Sequence, residues 1–272
     1  MSTFASALRA EFLKILSTRL WWFLALIMFG YVGLTAGFMA ALLVTTRDAN
    51  LAAIVGDAQA MPPLDPLLLY SFGSSVGFVF PVIFAAMMVT QEFRHKTVTP
   101  TFLANPNRIV VLTAKSVTAF VWGAVYGVVA VIASAGVSGA VLAAFGIDTE
   151  FGSSDTWAML GRVVLVLALW GLIGVGLGSL IPSQVGSIIT ILVFTQFVEP
   201  LLRFAGNLTS WSADIAKFLP GAAGDALVGI SFYTMDAGST ALLWWAGGLV
   251  LLAYAIITTA GGYFVSWRRD VS

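Results

Sequence analysis

Residues 91–115, QEFRHKTVTPTFLANPNRIVVLTAK, form a polar island between two long apolar runs. The island holds Glu92, Arg94, His95, Lys96, Arg108 and Lys115 in a chain with only 10% charged residues. Within it a very short helix is written at both ends. Thr99 can act as N-cap, Pro100 suits the first helical position because its missing N–H would be unpaired there, and Asn105 followed by Pro106 ends the run. That leaves roughly one to two turns, too few to be stable alone in water. Its apolar residues, Phe102 and Leu103, therefore need a surface to press against, either the membrane or another protein.

Composition sets the solvent. Of 272 residues 59% are apolar, and the mean hydropathy is +0.97. A soluble domain carries about 25% charged residues, so the reading is an all-α integral membrane protein. Zero net charge argues against a broad nucleic-acid surface, and no nucleic-acid partner is expected. The absence of cysteine removes disulfides, thiolate metal sites and cysteine nucleophiles. His95 is the single histidine and reads as a solvated or contact residue, so no metal is expected.

Five stretches contain no Asp, Glu, Lys or Arg: Leu20–Thr46, Pro66–Gln91, Ser116–Ile147, Val163–Val198 and Ala237–Trp267. A span needs about 20 apolar residues, so the fourth stretch is too long for one helix. Pro182, Ser183 and Gln184 interrupt it and read as a tight hairpin. Six spans follow, at 21–46, 67–90, 113–145, 157–181, 185–202 and 239–266, in one transmembrane domain covering 1–272. The first is too long for a secretory leader and is read as retained, although Ala58-Gln59-Ala60 looks like a cleavage site.

Residues 1–20 show helical spacing. Phe4, Leu8, Phe12, Ile15 and Leu16 gather on one side, with Arg9, Lys14 and Ser17 mostly opposite, as in a basic helix lying in the membrane interface; Glu11 and Arg19 belong to the same segment. With six spans both chain ends share a side. That side collects Arg9, Lys14, Arg19, Arg94, Lys96, Arg108, Lys115, Arg268 and Arg269, nine of the thirteen basic residues. Cytoplasmic loops are enriched in Lys and Arg, so the termini and the 91–112 loop are expected to face the cytoplasm.

The segment 204–238, expected outside, contains Trp211, Ile215, Phe218 and Leu219 at helical spacing. A Pro220-Gly221 break leads into the apolar run Ala222–Ile230. Neither piece can span, so one or two short helices dipping into the outer leaflet or lying on it are expected. Trp211, Phe218, Leu219, Pro220 and Leu227 are candidates for closing the outer end of a route. Asn207-Leu208-Thr209 has the form of a glycosylation acceptor.

Several chemistries are missing. No GxxxxGK[ST] phosphate cradle occurs, and no serine is expected to have a second histidine or a buried Lys or Asp to act as its base, so the chain reads as non-catalytic. Coupled carriers place ionisable groups near the bilayer midplane. Arg162, Glu199 and Arg203 fall at span ends, where snorkelling to headgroups is the simpler expectation. Small residues in the spans, Gly171, Gly174, Gly176 and Gly178 among them, are read as close helix packing.

These features together resemble the membrane subunits of ABC-2-type ATP-driven transporters of bacteria. Leu8 to Arg19 is similar to the family's basic interfacial helix. Glu92 to Thr97, Thr101 to Ala104, Arg108 and Lys115 are similar to its coupling segment between spans two and three. Leu219-Pro220-Gly221 is similar to its external element. Members often carry Gly where this chain has Lys96, which bears on how sharply the chain can turn there. The resemblance implies a permease subunit in the cytoplasmic membrane, paired with a second copy or a homologue and with two cytoplasmic ATPase subunits. ATP and Mg would be held by those ATPase subunits and no cofactor by this chain. Glu92, Arg94, His95, Lys96, Thr97, Thr101, Phe102, Leu103 and Arg108 would contact the ATPase, with Phe102 and Leu103 in an apolar groove and the charges as a rim. A signalling or scaffold subunit driven by the same motion, a secondary transporter and an intramembrane enzyme stay open as alternatives. The substrate is not legible.

Overall fold

The structure, a computed structural model, describes residues 3–47, 65–206, 210–231 and 242–267. Arg268, Arg269, Ala58-Gln59-Ala60 and Asn207-Leu208-Thr209 lie outside the described residues. No strand occurs among the described residues, and six helices are long and apolar enough to cross a bilayer: Leu20–Thr45, Pro66–Arg94, Arg108–Ala144, Ser154–Leu180, Gln184–Gly206 and Trp244–Trp267. The described residues form an all-helical, multi-pass membrane protein, in which each helix satisfies its own backbone groups inside lipid. Four shorter helices accompany the spans among the described residues. Helix α1 (Thr3–Leu16) precedes the first span, a short helix Val98–Ala104 joins the second and third, and two pieces, Ser210–Ala216 and Pro220–Val228, follow the fifth.

Local chemistry explains where the spans begin. Asn107 Oδ1 accepts from the backbone N–H groups of Ile109 (3.2 Å) and Val110 (3.3 Å), so the third span starts at Arg108 and not near residue 113. Lys115 is thereby carried inside a helix expected to start just before it. Ser153 caps the fourth span through the N–H of Asp155, and Ser183 caps the fifth through that of Gly186. Between them the chain leaves helix only over Ile181–Ser183, at Pro182. The second span is built of three pieces, Pro66–Tyr70, Phe72–Ser75 and Val79–Arg94, with Asp65 capping the first.

The fourth span is the axis of the molecule. It packs against the second, third and sixth, and 72% of its most apolar window is buried, against 22% for the fifth span and 17% for the sixth. The last two therefore present most of their surface outward. Glycine makes the central approach possible. A Cβ at Gly123 would lie 2.7 Å from Leu167 O and 2.8 Å from Ala168 Cα, and one at Gly174 would run into Val82 O with Ala85 Cβ at 2.9 Å. Backbone meets backbone at both places, so the glycines of the fourth span form a packing face.

The third, fifth and sixth spans each contain a π turn, at Ile132–Gly136, Phe194–Val198 and Tyr263–Trp267. Such turns rotate the residues that follow relative to a regular α-helix and recur at functional positions.

Candidate functional site

Among the described residues two groups of charged side chains sit inside the molecule, one at each end of the bundle. The first joins α1, the end of the second span and the start of the third. Lys115 Nζ donates to Glu11 Oε2 at 2.8 Å and to Glu92 Oε1 at 2.7 Å, while Lys14 Nζ donates to Glu11 Oε1 at 2.8 Å and to Glu92 Oε1 at 2.6 Å. The Lys115 side chain is completely buried, Glu11 and Glu92 are nearly so, and Lys14 is 47% exposed. Two ammonium groups balance two carboxylates. That balance is required, because an unpaired charge in such a place would cost several kcal/mol by about the magnitude found for broken buried pairs. Burial raises the Glu11 pKa, yet Lys115 and Lys14 outweigh it and hold the carboxyl below its usual range. Burial lowers that of Lys14, and Glu11 and Glu92 outweigh it, so the ammonium sits above its usual range.

This arrangement corrects two expectations. Glu92 is no part of an exposed charged rim: it is 6% exposed and turned inward to Lys14 and Lys115. Glu11 does not face outward from α1. It is 4% exposed and, with buried Ile15, forms the face by which α1 leans on the third span, while Phe4, Leu16 and Arg19 stay exposed and Leu8 and Phe12 are half-buried.

The short helix is also redrawn. It begins at Val98, with Thr97 as an N-cap that makes no side-chain cap bond, so Pro100 is its third residue and Thr99 lies inside it. Asn105 does end it. The reason for the earlier start lies one residue upstream. Lys96 adopts φ +55°, Lys96 N–H donates to Phe93 O at 3.3 Å, and Thr97 N–H donates to Glu92 O at 2.9 Å. These two bonds close the end of the second span in the Schellman manner, with Lys96 where glycine is usual. The sharp turn forms without glycine.

Phe102 and Leu103 part company. Phe102 turns toward the bundle, its ring 5.5 Å from that of Trp267 and 4.9 Å beneath the guanidinium of Arg108, which donates to Trp267 O at 2.5 Å. Leu103 is 79% exposed. An apolar groove on a partner would thus receive Leu103 and not Phe102. Arg94, His95, Lys96 and Thr97 are exposed and Thr101 is half-buried. Arg94 donates to Gln184 Oε1 at 3.0 Å, which ties this corner to the start of the fifth span.

The second group lies toward the other end, between the second, fourth and fifth spans and the helix Pro220–Val228. Arg203 donates to Glu199 Oε1 at 2.9 Å and to Asp225 Oδ2 at 2.6 Å, the Gly221 N–H donates to Glu199 Oε1 at 2.6 Å, and Ser75 Oγ donates to Asp225 Oδ1 at 3.2 Å. Glu199 and Asp225 are 2% and 4% exposed, so Ser75 does have a buried aspartate beside it, contrary to expectation, because folding brings the second span against the helix Pro220–Val228. Snorkelling of Glu199 and Arg203 to headgroups is therefore overturned, since each finds its partners inside the protein. Arg162 is half-buried, with its guanidinium 6.0 Å from the Trp244 ring. The cluster borders a cavity of about 220 Å³ whose walls include Phe78, Trp170, Thr195 and Gln196.

Of the residues expected to close a route, Trp211 and Phe218 are exposed and Leu219 half-buried, but Pro220 and Leu227 are core residues. The helix Pro220–Val228 does not lie on a surface. It is buried against the sixth span, where a Cβ on Gly247 would run into Ala223 O. Sequence signals for the second cluster existed: Glu199 and Arg203 are four apart on one helix, the spacing of a paired face, and Asp225 is the one charge in the run Pro220–Ile230.

The chain matches no protein-family model, and no curated protein matches it in sequence.

Proposed function

We propose that the protein is the membrane-spanning permease subunit of an ATP-driven exporter in a bacterial cytoplasmic membrane, worked by a separate ATPase that grips the helix Val98–Ala104. One observation carries the reading: this helix offers a nearly bare Leu103 on its outer side while its inner side is locked to the bundle through Phe102, Trp267 and Arg108. A helix so short holds its shape only through such contacts. Force applied at Leu103 would pass by rigid connections into the second and third spans, and through the Lys14–Glu11–Lys115–Glu92 cluster into α1. Arg94, His95 and Lys96 surround the contact and would set its register. In this reading α1 lies along the inner membrane surface, and a second copy or a homologue covers the outward faces of the fifth and sixth spans.

The test uses the cysteine-free background of the natural chain. A Leu103→Cys variant should react with a membrane-impermeant maleimide only after the cell is opened, and wild-type protein purified from its own membranes should carry a nucleotide-hydrolysing partner that Leu103→Asp releases. Labelling of intact cells, or transport by the isolated chain without ATP, would sink the proposal.

The buried Glu199–Arg203–Asp225 cluster favours a second reading, a carrier driven by an ion gradient, because it places ionisable groups inside a span. Reconstituted protein that accumulates cargo on a proton or sodium gradient, without nucleotide, would select it.

A further inference from the structure

The cavity beside Glu199 carries information about cargo that neither end of the chain provides. Glu199 lies seven residues before the end of the fifth span at Gly206, and Ser75 nine residues into the second from Pro66. At about 1.5 Å per residue this is roughly 10–14 Å below the span ends, inside a hydrocarbon layer of about 30 Å. Charge so placed is a sign of function.

Among the residues lining the cavity, Glu199 and Asp225 are acids and Arg203 is a base, so acids outnumber bases two to one. Arg203 bonds one oxygen of each acid, and Asp225 receives Ser75 on its other oxygen. Glu199 Oε1 receives Arg203 and the Gly221 amide, but Glu199 Oε2 is buried and has no donor. A buried carboxylate oxygen without a donor is costly, and a turn of the Glu199 carboxylate that brings Oε2 from its covered position to an arriving N–H in the cavity would remove the cost. The remaining walls are those an amine wants. The Phe78 and Trp170 rings meet at 4.6 Å between centroids, tilted by 33°, and Thr195 and Gln196, from the π turn directly before Glu199, line the same space. Its volume of about 220 Å³ is several times the roughly 30 Å³ share of one water. Among the described residues no group of three His, Asp or Glu side chains could hold a metal ion.

We infer that this cavity binds a protonated primary or secondary amine with an apolar body, its ammonium donating to Glu199 Oε2 and its body against Phe78 and Trp170. The inference deepens the transport reading by naming a cargo class, and rests on it only in calling the ligand cargo. Binding itself needs neither ATPase nor gradient.

The test is equilibrium dialysis of radiolabelled 2-phenylethylammonium against the full chain in lipid nanodiscs, with 2-phenylethanol as the uncharged counterpart. One saturable site per chain is expected, with the alcohol at least tenfold weaker. Glu199→Gln keeps the shape and should weaken the amine at least tenfold, while Asp214→Asn, at an exposed ion pair outside the cavity, should leave it unchanged. Equal affinity for amine and alcohol, no saturable binding, or unchanged affinity in a folded Glu199→Gln protein would each overturn the assignment. So would displacement by sodium chloride at the amine's own concentration, which would give the site to an alkali cation. If Glu199→Gln does not fold, the comparison of amine with alcohol on the wild type still decides. Because no nucleotide or partner is present, failure here leaves the exporter proposal standing, and failure of that proposal leaves the binding result intact.

Discussion

Replacing Lys115 by Met removes one ammonium from the inner cluster while nearly preserving volume. The Lys115 side chain is 0% exposed and holds Glu11 and Glu92 at 2.8 and 2.7 Å, so its loss leaves two buried carboxylates facing one lysine that is itself 47% exposed. The cluster passes from neutral to a charge of minus one. Breaking a buried pair by removing one partner costs about 3–5 kcal/mol, which at roughly 2–4 °C per kcal/mol becomes a drop in Tm of about 6–20 °C. Thermal unfolding of purified protein, followed by size-exclusion chromatography with fluorescence detection, reads this directly. The cause is tested by Glu11→Gln in the same chain, which leaves Lys14 and Glu92 balanced. If an unbalanced charge is the source, Lys115→Met with Glu11→Gln recovers at least half of the drop. A Tm within about 1 °C of wild type for Lys115→Met, or two losses that simply add in the double variant, would refute the reasoning.

The other predictions are smaller or simpler. Glu11 has its folded pKa below the unfolded value of about 4.3, so its contribution is present above that pH and is lost as pH falls through the folded value; that of Lys14, raised above about 10.4, is complete below that pH and is lost as pH rises through the folded value. The Tm difference between wild type and Glu11→Gln should therefore be constant near neutrality and shrink as pH falls below about 4.3 toward the folded value, and a difference that grows as pH falls would contradict the pairing. Lys96→Gly should raise Tm slightly, by roughly 0.5–1 kcal/mol of relieved left-handed strain less the added chain entropy, whereas a lowered Tm would show that the Lys96 side chain contributes more than its backbone costs. Gly174→Leu should abolish monodisperse protein, since its side chain must displace Val82 and Ala85 from the central packing face, and normal chromatographic behaviour would count against the fourth span as axis.

How far the sequence reaches is visible residue by residue. Six spans could be read from charge-free runs, and Pro182 marked the hairpin that splits the longest. The short helix after the second span was legible from Asn105 and Pro106 at its end, but its start was misplaced by two residues because the decisive feature was a helix closure through Glu92 O and Lys96, a backbone event that Thr99 and Pro100 do not report. Phe102 and Leu103 are neighbours of similar hydropathy. Only the position of Trp267, 165 residues on from Phe102, separates the anchored one from the bare one.

What the sequence determined by itself is the solvent and the number of crossings, because transfer of a helix from water to lipid is close to a sum over its own residues. Which charges meet inside was decided by tertiary structure, although the four-residue spacing of Glu199 and Arg203 marked one pair in the sequence. Glu11 and Lys115 are 104 residues apart and Arg203 and Asp225 are 22 apart. An ionised group enters a low-dielectric interior only where folding brings an opposite charge to within hydrogen-bond reach, and that proximity depends on which helices touch.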